Sequence, residues 1–132
     1  MSNRQPLIKK PSSELQLRKN KISFDFSELQ EISFPNATKD GKFFISFLCR
    51  LKKIGSMDWN LIYSTSKHSF GAESIKVEVL KDAAKNKLSS DITKLTVLRA
   101  TGDNKAFLGY REENVFKVIF IEYKFGDIYS HG

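Results

Sequence analysis

One cysteine and two histidines in 132 residues leave little from which to build a metal centre. Cys49, His68 and His131 are scattered along the chain, and the CxxC and HExxH spacings that hold or use zinc are absent. No metal and no cofactor is expected. A lone cysteine also excludes an internal disulfide, which fits a reducing cytoplasm. With no glycine-rich phosphate loop and no G-x-S-x-G elbow, P-loop nucleotide chemistry and the hydrolase nucleophile drop out. No apolar run reaches the length of a membrane span, and no charged-then-apolar start resembles a signal peptide. Neither membrane insertion nor export is expected.

What is abundant is positive charge, and it is unevenly placed. The net charge is +7. Residues 1–21 hold Arg4, Lys9, Lys10, Arg18, Lys19 and Lys21 against Glu14 alone, so five of the seven net charges sit beside Pro6 and Pro11 in a stretch with few large apolar groups. This composition predicts a mobile basic leader over residues 1–21, followed by one domain over residues 22–132. Lys9, Lys10, Arg18 and Lys19 are its candidate contacts to nucleic-acid phosphates, where they would release counterions; a bare solvated tail is the plainer reading.

In the domain, Ile22 to Phe26 alternates as a strand suited to a sheet edge. After Thr38 or Asp40, either of which can cap, Phe43, Phe44, Phe47, Leu48, Leu51 and Ile54 recur at helical spacing, Lys52 and Lys53 fall in the last turn, and Gly55 ends the helix. Lys42, Arg50 and Lys53 then face outward, as a solvated face or a phosphate-tracking one. Ser56 is a candidate cap for a second helix through Tyr63, with Trp59, Ile62 and Tyr63 turned inward, and His68 falls in a loop. Residues 72–90 leave the choice open, since Ile75 to Val79 alternates like a strand and Val79 to Leu88 suits a helix.

The C-terminal third is the most legible. Ile92 to Thr101 alternates, with Leu95, Val97 and Arg99 on one face. Gly102-Asp103-Asn104 turns the chain, Lys105 to Glu112 returns, Glu113-Asn114 turns again, and Val115 to Phe125 forms the most apolar strand. Because that last strand is apolar on both faces it belongs in the middle of the sheet. The fold class is therefore α+β: a small antiparallel sheet, a three-stranded meander with a possible edge strand, packed on two preceding helices.

Leu98-Arg99, the Gly-Asp turn, Gly109-Tyr110-Arg111, Asn114 to Glu122 and the closing Asp127-Ile128-Tyr129 together resemble the C-terminal sheet of RelE/YoeB-like toxins. They are closer still to a group of bacterial and phage proteins whose tails end in an apolar strand, a loop, and a tyrosine followed by histidine. The resemblance covers about residues 38–131. It implies a ribosome-associated endoribonuclease of a toxin-antitoxin or phage-defence system, acting without metal on messenger RNA by attack of the 2′-hydroxyl on its own phosphodiester, with an antitoxin as protein partner. Arg99 would stabilise the phosphate, Tyr129 and His131 would stack and donate a proton, and Glu122 or Lys124 would be the base or its electrostatic partner. Where these toxins place an arginine near the final strand this chain has Lys124, a point charge without the bidentate fork.

Each of these residues also has a plain structural reading: Arg99 paired with Glu112 or Glu122, Tyr123 and Tyr129 packed at the sheet edge, His131 solvated on a tail removable without unfolding the strand before it. A non-catalytic accessory module binding a protein or nucleic acid is the competing function. Arg99, Lys124, Tyr129 and His131 converging on one concave basic face would favour the ribonuclease; divergence would favour the module.

Overall fold

The computed structural model describes residues 20–65, 70–101 and 105–131, so Lys9, Lys10, Arg18 and Lys19, the His68 loop and the Gly102-Asp103-Asn104 turn lie outside the described residues. In chain order the elements are β1 (Ser23–Asp25), α1 (Gly41–Ile54), α2 (Trp59–Ser64), β2 (Glu73–Lys76), α3 (Asp82–Lys85), β3 (Lys94–Arg99), β4 (Ala106–Glu112) and β5 (Val115–Glu122). They form an α+β fold whose five-stranded mixed sheet runs β1-β5-β4-β3-β2. The meander β3-β4-β5 and the β2-β3 pair are antiparallel, while β1 pairs with β5 in parallel. No helix among the described residues is long and apolar enough to cross a membrane.

Several sequence boundaries shift. β5 lies inside the sheet as expected, between β1 and the central β4, but it ends at Glu122, three residues before Phe125. The alternating stretch from Ile75 is strand only as far as Lys76 and turns into 3-10 helix over Val77–Val79; the helix expected to reach Leu88 is the single turn Asp82–Lys85.

α1 starts where Asp40 accepts the Phe43 N–H at 3.0 Å and stops where the Gly55 N–H returns to the Leu51 carbonyl at 2.8 Å. Phe43, Phe47 and Ile54 are buried, but Leu48 is 61% exposed and points outward beside Ile45. Arg50 is turned in as well: it donates to the Thr101 carbonyl at 2.7 Å and lies over the Phe70 ring, and desolvation lowers its pKa. α2 is capped by Asp58, which accepts the Leu61 N–H at 2.8 Å; Ser56 instead donates to the Lys53 carbonyl. Trp59 and Ile62 are buried and Tyr63 is exposed.

Both sheet faces are covered. α1 and α2 pack on Leu98, Ala100, Phe107, Phe116, Val118 and Ile121. The other face holds Leu95, Val97, Ala106, Leu108, Ile119 and Phe120 under Leu80, Ala84, Ile128 and Tyr129. Each fully buried phenylalanine contributes ~1.5–3 kcal/mol by leaving water.

The switch between faces happens at a β-bulge. Leu108 pairs with Phe120 and Gly109 with Val118, leaving Ile119 as the extra residue. A Cβ on Gly109 would sit 1.8 Å from the Lys117 carbonyl oxygen, so only glycine permits this approach. The extra residue inverts the alternation. Phe116 and Val118 face the helices, whereas Phe120 and Glu122, of the same parity, face the other way.

Candidate functional site

Arg99, Ala106 and Glu122 occupy one row across β3, β4 and β5, since Ala106 pairs with both Arg99 and Glu122. The bulge brings Glu122 to the face of Arg99. The small Ala106 between them leaves room above the sheet.

The chain fills that room with its own tail. After β5 it turns through Lys124 to Asp127, closed by the Asp127 N–H to the Lys124 carbonyl at 2.9 Å and by Gly126 at φ +88°. Buried Ser33 braces the turn by donating to Asp127 Oδ2 at 2.5 Å and accepting the Tyr123 N–H at 3.0 Å. The tail then runs back against residues 79–81: the Lys81 N–H reaches the Ile128 carbonyl at 2.8 Å, the Ser130 N–H reaches the Val79 carbonyl at 3.0 Å, and Leu80 bridges Tyr129.

Four of the expected catalytic residues meet here. Glu122, 0% exposed, accepts the Ile128 and Tyr129 N–H groups on Oε2 at 3.0 and 3.4 Å and places Oε1 2.6 Å from His131 Nε2. The imidazole is held between two rings, with centroids 3.8 Å from Tyr129 and 4.0 Å from Phe125. Arg99 donates to Glu73 Oε2 at 2.8 Å and to the Tyr129 hydroxyl. Burial pushes the Tyr129 phenol up to about 12, against the opposing pull of Arg99. The fold therefore favours the neutral phenol of Tyr129.

Lys124 is not brought to this cluster; it stands exposed on the turn. Arg99 is 8% exposed and pairs with Glu73 of β2, not with Glu112 or Glu122. His131 is not a solvated tail residue, since its side chain is 11% exposed. Tyr129 is 2% exposed and belongs to the core of the second face, so the tail packs as part of the domain. Tyr123 points to the helix side, donating to Asp40 Oδ2 at 2.5 Å with its ring edge-on to Phe43.

Chemically, the set is closed on itself. A phosphodiester needs an open cationic surface, whereas here the guanidinium is neutralised by Glu73 and the carboxylate is filled by three donors. A buried charge is tolerable only when so satisfied. Glu73 escaped the sequence reading because its strand lies in the ambiguous stretch 72–90. Phe125 escaped it because its ring contact depends on the return of the tail. Of the expected RNA contacts among the described residues, Lys42 and Lys53 are exposed on α1, while Arg50 is held by Thr101 and Phe70. No group of His, Cys, Asp and Glu among the described residues is arranged to hold a metal ion.

Comparison of the chain with protein-family models, with curated proteins and with solved structures gives no match.

Proposed function

We propose that this protein is a nucleic-acid-binding module that holds its ligand without cutting it. The observation that carries this reading is the contrast between inside and outside. The groups suited to acid-base chemistry satisfy one another in the interior, while Lys42, Lys52 and Lys53 stand on a helix without a single acidic residue and make no ion pair among the described residues. To these the sequence adds the five net charges of residues 1–21. Such a distribution supplies counterion release, the sequence-independent part of nucleic-acid affinity.

A second reading keeps the RelE-like ribonuclease, and one observation favours it: Arg99, Glu122, Tyr129 and His131 form one connected cluster. It requires residues 127–131 to swing off the sheet before RNA could reach Arg99. One experiment separates the two. End-labelled RNA is incubated with the full chain and run on native and denaturing gels, alongside translation extracts and a growth test on induction. The module shifts the RNA and leaves its length intact; the ribonuclease shortens it and arrests growth. A variant carrying Lys42→Glu and Lys53→Glu should lose part of the shift.

A further inference from the structure

A polar cleft of about 330 Å³ lies between Asn20, the first turn of α2 (Asp58, Trp59 and Asn60) and the β4-β5 hairpin (Arg111 and Asn114). It shares no residue with the Glu122-His131 cluster. Its one apolar lining residue, Trp59, is 2% exposed, and the indole N–H has no acceptor among the described residues.

Apart from Asn114, the cleft holds polar groups that are not used by the described residues. Arg111 donates through Nε to the Glu113 carbonyl at 2.7 Å and rests over the Trp59 ring at 5.1 Å. Those two contacts fix the guanidinium plane, yet its terminal amino groups make no hydrogen bond or ion pair among the described residues. Asp58 spends Oδ1 on the α2 cap, and Oδ2 is unengaged among the described residues. The side chains of Asn20 and Asn60 are exposed and likewise unengaged among the described residues.

We infer that this cleft holds one nucleotide of single-stranded RNA, an inference that rests on the nucleic-acid reading above. A fixed guanidinium whose two amino groups have no partner among the described residues matches the oxygens of a phosphate. Asp58 would repel a bare anion, but a ribonucleotide offers it a donor, the 2′-hydroxyl, which is the group that distinguishes RNA from DNA. Amides supply both donor and acceptor, as the edge of an unpaired base requires. The volume suits a single unit and not a duplex.

Trp59 is the only tryptophan of the chain, so its emission reports events under Arg111. The full-length protein is titrated with a single-stranded RNA of about eight nucleotides, a length within the usual single-strand site, with DNA of the same sequence, and with a peptide bearing a free α-carboxylate. The inference expects RNA to change Trp59 emission and to bind more tightly than DNA. Arg111→Ala should weaken RNA binding ~10-fold or more, as loss of a charge-assisted contact does, and should erase the preference over DNA. Arg111→Lys, which keeps the charge and the stem, should recover only a minor part of it. The side chain is exposed, and an unchanged melting temperature shows that the variants fold. If RNA and DNA bind equally and Arg111→Ala is harmless, the cleft is overturned while the nucleic-acid reading survives. If neither binds, both fall. If only the peptide binds and moves the Trp59 signal, the cleft takes a carboxylate and the nucleotide assignment is wrong.

Discussion

His131 and Glu122 lie 2.6 Å apart, Nε2 to Oε1, with the imidazole held between Tyr129 and Phe125 and the carboxylate fully buried. Residues that near a chain end ordinarily fray. Here the pair fastens the tail over the second sheet face.

This fastening makes a stability prediction. His131→Ala removes a ring sandwich and one bond to a carboxylate, a loss of about 1–3 kcal/mol, or roughly 3–10 °C of melting temperature. Glu122→Ala should cost more, since it strands the Ile128 and Tyr129 N–H groups in the interior. Deleting residues 129–132 should destabilise most, by exposing Ala106, Leu108 and Phe120. Thermal unfolding followed by circular dichroism gives the order, and a truncated chain as stable as the full one would refute it.

Much of this arrangement was legible in residue pattern. The meander, an α1 cap at Thr38 or Asp40, the terminus at Gly55 and the core role of Trp59 follow from period and capping chemistry, because each depends on neighbours within a few residues; the structure takes Asp40 as the cap. The bulge did not follow. Phe116, Val118, Phe120 and Glu122 share one parity, and nothing local shows that Ile119 will be extra. The bulge depends on a long-range approach of Gly109 to Lys117, and it alone decides which face Glu122 occupies. Glu73 as the partner of Arg99 was hidden for the same reason, since strand pairing between positions 73 and 97 is non-local. Leu48 and Tyr63 were misplaced because an apolar residue on a helix can face water at little cost.

Gly109→Ala tests the bulge. The methyl group would collide with the Lys117 backbone, which is not the far end of a flexible side chain and cannot move aside without shifting β5. The expected loss is about 1–3 kcal/mol or more, as for other overpacking changes, seen as a lower urea midpoint. An unchanged midpoint would mean that the register shift is not required.

Alkaline pH addresses Tyr129. Its phenol is raised from 10.0 to about 12 in the fold, chiefly by burial, so the folded state favours the neutral form. The resulting stability is fully present below pH 10 and is lost as the pH rises from there toward 12, on the order of 2 kcal/mol in all. Tyr123, raised by its bond to Asp40, adds in the same direction. Tyr129→Phe should therefore flatten the alkaline limb of a stability-pH curve measured by urea unfolding. A limb unchanged by this substitution would assign the effect elsewhere.

The salt dependence of binding tests the central claim most directly. Fluorescence anisotropy of labelled single-stranded RNA, titrated with the full chain from about 50 to about 200 mM salt, should show log K falling linearly with log salt. The same titration with residues 1–19 removed, or with Lys42→Glu and Lys53→Glu, should give a shallower slope, and the RNA recovered at the end should be full length. Absence of binding at the lowest salt, affinity indifferent to salt, or RNA recovered in pieces would contradict a non-cleaving electrostatic module.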